Sequence, residues 1–189
     1  MREEELRIAC GLEGKPNVEK VKELLKRNDI HLNEGDEVIE SGFSTPLIIA
    51  CRNGYLEIVE VLMGDPRIKV NFSNLYGLSP FYAACSFGHL ETVKFMLMDE
   101  RVDINQAKAS KNTFYEVCNS LNFEIAKWIL ASGREIPQEI IESTKSSLEK
   151  LKEENIKVSH FVNFLDNFLK DPTTTRKELR KELGLPGLF

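Results

Sequence analysis

The sequence predicts an all-α fold, a solenoid of stacked helix-turn-helix units that ends in a helical cap. First, the segment that begins at Thr45 is echoed 34 residues later by the segment that begins at Ser79. Second, both segments open with a hydroxyl residue and a proline, which is typical of a helix start. Third, apolar residues follow each start at helical spacing. A repeat of roughly 34 residues is typical of solenoids built from helix pairs.

The two central repeats match along most of their length. Residues 45–51 read Thr-Pro-Leu-Ile-Ile-Ala-Cys, and residues 79–85 read Ser-Pro-Phe-Tyr-Ala-Ala-Cys. Gly54 and Gly88 then stand where the first helix of each repeat should end, because a left-handed turn favours a residue without a Cβ. An apolar stripe predicts a second helix after each glycine. Each repeat closes on an aliphatic residue followed by asparagine.

These residues resemble the ankyrin repeat family. Its consensus has a Thr-Pro-Leu-His start, an Ala-Ala pair, a Gly-His turn, a Val-Val-Lys-Leu-Leu helix and a Val-Asn ending. The resemblance covers most of residues 3–136. It implies β-hairpin-like loops between repeats and four repeats in residues 1–136, at approximately 3–33, 41–71, 74–105 and 108–136. Of these, 74–105 is the best match.

The outer repeats depart from the consensus. The first has a long segment between its helices, at residues 11–17. The fourth lacks both the proline and the turn glycine. Leu121-Asn122 stands at its turn, and we expect the asparagine to adopt the left-handed conformation. The histidine of the start motif is replaced by Ile48, Tyr82 and Tyr115. We therefore expect modest stability, with the fourth repeat fraying first.

The sequence of residues 137–189 predicts a helical C-terminal cap or extension. Two amphipathic stripes indicate two helices that form an irregular fifth unit. Asp171-Pro172 can cap a third helix, Thr175 and Glu178 also fit a capping box, and the helix stops at Gly184. Basic and acidic residues alternate on this helix, which is typical of an exposed, salt-bridged surface. The alternating residues are Arg176, Lys177, Glu178, Arg180, Lys181 and Glu182.

Composition limits the function classes. The 189-residue chain carries a net charge of −5, which lacks the basic surplus typical of nucleic-acid binding. No apolar run is long enough for a transmembrane helix. The acidic start at Met1–Glu5 does not resemble a secretory signal. We expect a cytoplasmic protein, with the nucleus as the open alternative, and neither nucleic-acid nor membrane partners.

Nothing in the sequence resembles a catalytic or metal site. The four cysteines, one in each repeat, occupy equivalent helix positions and match no zinc-binding spacing, so we expect small packed side chains. They are Cys10, Cys51, Cys85 and Cys118. No histidine is paired in sequence with a nucleophile or a ligand set. The sequence predicts a protein that is not an enzyme, with no catalytic residue, metal, cofactor or small-molecule substrate.

The resemblance implies recognition of another protein or peptide on the concave face of the solenoid. Positions transferred from the family make eleven candidate binding residues. We expect Leu75, Tyr76, Leu78 and Phe87 to be the anchors, with internal packing of these side chains as the alternative. Arg52, Lys108 and Lys111 would orient the partner, and Asn53, Ser86, Asn119 and Ser120 complete the set.

Other functions stay open at this point. The acidic hairpin at residues 34–40 is either a solvated loop or a binding site for a basic segment of a partner. The chain is expected to be a monomer. The alternatives are a self-associating structural element whose apolar tail, residues 185–189, docks on a second copy, and a targeting fragment of a larger multidomain protein. An enzyme with an unrecognised site would require a deep pocket with convergent ionisable groups.

Overall fold

The computed structural model describes residues 2–35, 43–106, 112–153 and 155–185. Within these ranges the chain forms eleven α-helices and no strands, which confirms the all-α prediction. The chain divides into two compact units, an N-terminal unit of residues 1–109 and a C-terminal unit of residues 110–189. No helix in the described ranges is long and apolar enough to span a membrane.

The N-terminal unit contains three helix pairs in two rows. Helices α1, α3 and α5 are neighbours in one row, and α2, α4 and α6 form the other. The middle helix α3 is buried along residues 46–51, as expected for an element covered on both sides. The bounds are α1 Arg2–Ala9, α2 Val18–Leu25, α3 Pro46–Asn53, α4 Leu56–Met63, α5 Pro80–Ser86 and α6 Leu90–Leu97.

The predicted helix starts of the two central repeats are confirmed. The Thr45 hydroxyl accepts the N–H of Ile48 at 3.3 Å. The Ser79 hydroxyl accepts the N–H of Tyr82 at 3.1 Å. Each bond satisfies one of the backbone donors that a helix N-terminus leaves unpaired. Gly54 ends α3 in the left-handed conformation, with φ 70°.

Asparagines at the repeat boundaries tie consecutive loops together. The side-chain amide of Asn33 donates to the carbonyl of Arg67 at 2.9 Å, and its oxygen accepts the N–H of Lys69 at 2.7 Å. Asn71 makes the same two bonds to the next loop, at 2.7 and 2.8 Å. The chain lacks the start-motif histidine, so these bonds supply loop-to-loop hydrogen bonding by another route.

Arginines of an Asp-x-Arg turn bind the end of the preceding second helix. Arg67 donates to the carbonyls of Leu25 and Arg27 at 2.6 and 2.8 Å. Arg101 repeats this with the carbonyl of Met63 at 2.7 Å. A cation at a helix C-terminus satisfies unpaired carbonyls and opposes the negative end of the helix dipole. Each turn therefore locks one repeat onto the next.

The C-terminal unit packs five helices. Helix α7 contacts α8 and α9, α10 contacts α9 and α11, and α11 also contacts α8. The predicted stripe of α10 is buried, and Phe161 on it stacks on Phe123 of α8 with ring centroids 4.4 Å apart. The bounds are α7 Thr113–Asn119, α8 Phe123–Ala131, α9 Gln138–Glu149, α10 Ile156–Lys170 and α11 Pro172–Glu182.

The turn of the fourth repeat differs from our prediction. Leu121 adopts the left-handed conformation, with φ 61°, whereas Asn122 has φ −80° and precedes α8. The Leu121 N–H donates to the carbonyl of Cys118, just as the Gly54 N–H donates to the carbonyl of Cys51. Hydrogen bonding therefore sets the register of the turn, although asparagine tolerates this conformation better than leucine.

The predicted cap of the last helix is confirmed at Asp171-Pro172. Helix α11 begins at Pro172, and the Asp171 side chain accepts the N–H of Thr174, so the Thr175 capping box is not used. The prediction that Arg176 and Arg180 are exposed is wrong, since both are half-buried and donate to carbonyls at the end of α8. Their Nε atoms lie 3.0 Å from the carbonyl of Leu130 and 2.7 Å from that of Ala131.

The boundary between the compact units differs from the predicted repeat boundary. The units divide at residues 109 and 110, so the fourth helix pair belongs with the C-terminal helices. The sequence places the end of the repeats at residue 136. The compact units are defined by spatial contacts, whereas the repeats are defined by sequence similarity, so the two boundaries need not coincide. The division into four repeats stays a prediction.

Candidate functional site

The loop of the third repeat is a tightly bonded turn. The Asn74 N–H donates to the carbonyl of Leu78 at 3.1 Å, and its side-chain oxygen accepts the N–H groups of Tyr76 and Leu78, both at 3.0 Å. Gly77 has φ 71°, a conformation that favours glycine. The Asn74 amide also lies 3.4 Å from the Ser44 hydroxyl. The side chains on this loop are therefore held on an ordered backbone.

Three of the predicted anchors are exposed. The exposed fractions are 74% for Leu75, 49% for Tyr76 and 56% for Phe87. Leu75 and Tyr76 lie on the Asn74 loop, and Phe87 is the residue at the end of α5. Leu78 is half-buried. The alternative for these side chains is internal packing. In the structure, such packing covers less than half of Leu75 and less than half of Phe87.

The remaining candidates differ in exposure and bonding. Arg52, Asn53 and Ser86 are half-buried, and Ser120 is exposed. Two asparagines take part in internal bonding: the Asn53 amide donates to the carbonyl of Ile49 at 2.9 Å, and the Asn119 amide donates to the carbonyl of Tyr115 at 2.9 Å while its oxygen accepts the Ser147 hydroxyl at 2.8 Å. Lys108 and Lys111 lie outside the described residues, as does most of the acidic hairpin.

Phe43 is a surface aromatic residue that our sequence reasoning missed. It has φ 61° and is 36% exposed. It precedes Gly77 by 34 residues and so occupies the equivalent loop position. An alignment of the repeats reveals this residue, because Phe43 aligns with the turn glycine Gly77 of the next repeat.

Arg52 is linked to the next repeat through its backbone. The Nε2 atom of His89 lies 2.8 Å from the Arg52 carbonyl. A Cβ added to Gly54 would clash with the His89 ring, so the turn glycine makes room for this contact. The end of α3, which carries Arg52 and Asn53, is thus positioned by the following repeat.

The described residues contain no group of His, Cys, Asp or Glu side chains that could hold a metal ion. All four cysteines are buried and unpaired. Burial raises the pKa of Cys10 to about 12 and that of Cys51 further still. A thiol with a raised pKa is a poor nucleophile, which fits small packed side chains.

The family model described as "Ankyrin repeats (3 copies)" matches residues 6–108, more than half of the chain. The chain belongs to the ankyrin repeat family. Ankyrin repeats are generally protein–protein interaction modules, and the family is typically non-catalytic. The match begins at residue 6, within α1, ends before α7, and so covers nearly all of the three helix pairs of the N-terminal unit.

Two curated relatives share part of this ankyrin region. The chain is 42% identical over 59 residues to "Ankyrin repeat and LEM domain-containing protein 2" of Mus musculus and to the protein of the same name of Rattus norvegicus. The aligned segment covers 31% of this chain but spans only 6% of the length of each relative. The similarity to these two proteins is therefore one of ankyrin sequence.

Proposed function

We propose that this ankyrin repeat protein binds another protein or peptide through the third repeat, on the concave face of the repeat stack. The main contact surface is an aromatic patch, defined here as Leu75, Tyr76, Leu78 and Phe87. The observation that carries the proposal is the exposure of Leu75, Tyr76 and Phe87. Exposed apolar clusters on a folded protein are typical of interaction sites.

The ordered loop beneath the patch favours binding. Asn74 holds the backbone that carries Leu75 and Tyr76 with three hydrogen bonds of 3.0–3.1 Å. A surface that is ordered before binding loses less conformational entropy when a partner docks. Aromatic anchors at interface centres each contribute about 2 kcal/mol or more to affinity.

The basic residues that the sequence predicts for the binding face indicate how a partner would be oriented. Arg52 lies at the end of α3, next to the first helix of the third repeat, and it is half-buried. Together with Lys108 and Lys111 it would favour an acidic segment beside the apolar anchors. Charges at an interface rim mainly affect association rate and orientation, while the anchors supply affinity.

The experiment is affinity capture followed by direct binding. Wild-type chain and a Tyr76→Ser/Phe87→Ser variant are immobilised, and captured proteins are identified and purified. We expect a partner that binds the wild type directly and binds the variant at least about 30-fold more weakly. Equal direct binding to both chains would contradict the proposal.

A matched control removes exposed apolar side chains elsewhere. Met98 and Ile156 are 53% and 72% exposed and lie outside the patch. The Met98→Ser/Ile156→Ser variant should bind the partner as the wild type does. Circular dichroism confirms that the variants are folded. Light scattering of each chain tests the self-association alternative, in which residues 185–189 dock on a second copy: a concentration-dependent dimer formed alike by the wild type and both variants would support that alternative.

A further inference from the structure

The C-terminal unit contains a cleft that the ankyrin match does not reach. Its volume is about 180 Å³. An apolar cavity of about 150 Å³ is large enough to hold benzene, so this cleft can hold one ring or one branched aliphatic group. It is formed by the loop after α8 together with α9, α10 and α11. The lining residues are Leu130, Arg134, Glu135, Ile136, Gln138, Ile141, Phe168, Leu169, Pro172 and Arg176.

The cleft has an apolar floor. Leu130, Ile141 and Phe168 are 1%, 5% and 3% exposed, so these side chains are fixed by the core of the unit. Their positions come from three different helices, α8, α9 and α10. A preformed apolar depression loses little entropy when it accepts a ligand of matching size.

Arg176 brings a positive charge to the rim. Its Nε donates to the carbonyl of Leu130 at 3.0 Å, and its guanidinium carbon lies 5.4 Å from the centre of the Phe168 ring. These two contacts fix the guanidinium against the apolar floor. Its terminal nitrogens Nη1 and Nη2 have no hydrogen-bond or carboxylate partner in the part of the chain that the structure describes.

The surroundings of Arg176 favour an anion. Burial and the neighbouring Arg180 both lower the pKa of Arg176, so its charged form is held at an energetic cost. A carboxylate would reduce this cost. The other charged groups on the rim are Arg134 and Glu135, which offset each other and leave one net positive charge. Glu135 is exposed, so it opposes an anion less strongly than a buried carboxylate would.

We propose that this cleft binds a small monocarboxylate with one aromatic or branched apolar group. The apolar group lies between the accessible apolar side chains of the cleft, Ile136, Leu169 and Pro172, above the buried floor. The carboxylate accepts two parallel hydrogen bonds from Nη1 and Nη2 of Arg176, a geometry that arginine favours and lysine does not offer. The ligand is bound and not converted. The site uses no residue of the aromatic patch, so it is independent of the proposed protein-binding function.

The test is a titration of the isotope-labelled full chain, followed by amide chemical shifts. The probes are phenylacetate, its neutral isostere phenylacetamide and the cation 2-phenylethylamine. We expect phenylacetate to shift amides of residues 130–141 and 168–176 saturably, with an affinity about tenfold or more above that of the amide. The amine should bind more weakly than the amide, because the rim is positive.

Two variants link the binding to Arg176. Arg176→Lys keeps the charge but removes the parallel donors, and it should lower phenylacetate affinity about five- to tenfold. Lys177→Met, an exposed neighbour that does not line the cleft, removes a charge and should leave the affinity unchanged. Equal affinities for phenylacetate and phenylacetamide, shifts located outside the cleft, or no saturation at about 20 mM would each overturn the proposal.

Discussion

At the residue scale, the molecule places two large apolar residues at turn positions that favour glycine. Leu121 and Phe43 both have φ 61°, and the equivalent residues of neighbouring repeats are glycines with φ between 70° and 75°. A left-handed conformation costs a residue with a Cβ about 1–2 kcal/mol. Repeat stacking tolerates this cost because the surrounding hydrogen bonds hold the turn in place.

We predict that Leu121→Gly leaves the stability of the protein nearly unchanged. The change relieves the left-handed strain, but it also removes the buried part of a side chain that is 43% exposed. Strain relief of about 1–2 kcal/mol is offset by the lost apolar burial and by the entropy of glycine in the unfolded chain, so the free energy of unfolding should stay within about 1 kcal/mol of the wild type. Chemical denaturation measures it. The matched control is Gly54→Ala, which should destabilise because its Cβ would clash with His89.

A second residue-scale prediction concerns the Asp-x-Arg turns. Hydrogen bonds from Arg67 hold the pKa of Asp65 below its ordinary value. The unfolded chain therefore takes up this proton at a higher pH than the folded chain. The resulting stabilisation is complete above the ordinary pKa and is lost as pH falls through about pH 4 and below.

Asp65→Asn should accordingly lower the free energy of unfolding by about 1 kcal/mol at neutral pH, because Arg67 loses its charged partner. The difference from the wild type should shrink toward about pH 3, where the wild-type carboxyl also becomes protonated. Urea denaturation at both pH values measures it. Glu60→Gln, which removes the same charge from an exposed position, should show no such pH-dependent difference. A difference that stays constant with pH would contradict this account.

At the element scale, arginines at helix ends join one helix pair to the next. In the N-terminal unit these arginines come from the loop of the following repeat, as Arg67 and Arg101 show. In the C-terminal unit, α11 supplies Arg176 and Arg180 to the end of α8. The last helix therefore takes over a stabilising role that an Asp-x-Arg turn has in the repeats.

Sequence reasoning predicts contacts between residues close in the chain better than contacts between residues far apart in it. The starts of α3 and α5 follow from local signals, because Thr45 and Ser79 cap donors only three residues away. The arginine contacts of α11 join residues 46–49 positions apart. Charge alternation along one helix carries no information about which backbone carbonyls it will meet.

We predict that Arg176→Ala/Arg180→Ala destabilises the C-terminal unit by about 2–3 kcal/mol, because it removes two charge-assisted bonds from partly buried carbonyls. The loss should appear as faster amide hydrogen exchange in α8 and α11. Lys177→Ala/Lys181→Ala removes the same charge from exposed positions and should change stability by less than about 0.5 kcal/mol. Equal effects of the two pairs would show that general charge, and not capping, explains the result.

At the scale of the whole molecule, periodicity explains what the sequence could predict. The repeats determine helix positions, the buried cysteines and the exposure of Leu75, Tyr76 and Phe87, because equivalent positions have equivalent surroundings. The cleft of the C-terminal unit could not be predicted in this way. Its lining residues span positions 130–176, which lie outside the ankyrin match and share no period with it.

The final prediction concerns where the molecule opens first. In a repeat protein, local stability depends on each repeat and its immediate neighbours. The fourth helix pair has a strained turn at Leu121, and α7 begins without a proline at its first position. We expect amides of α7 and α8 to exchange faster than those of α3 and α4. If α7 and α8 exchange as slowly as α3 and α4 in the wild type, then the Arg176 and Arg180 bonds to α8 outweigh the strain of the turn, and the expected order of opening is wrong.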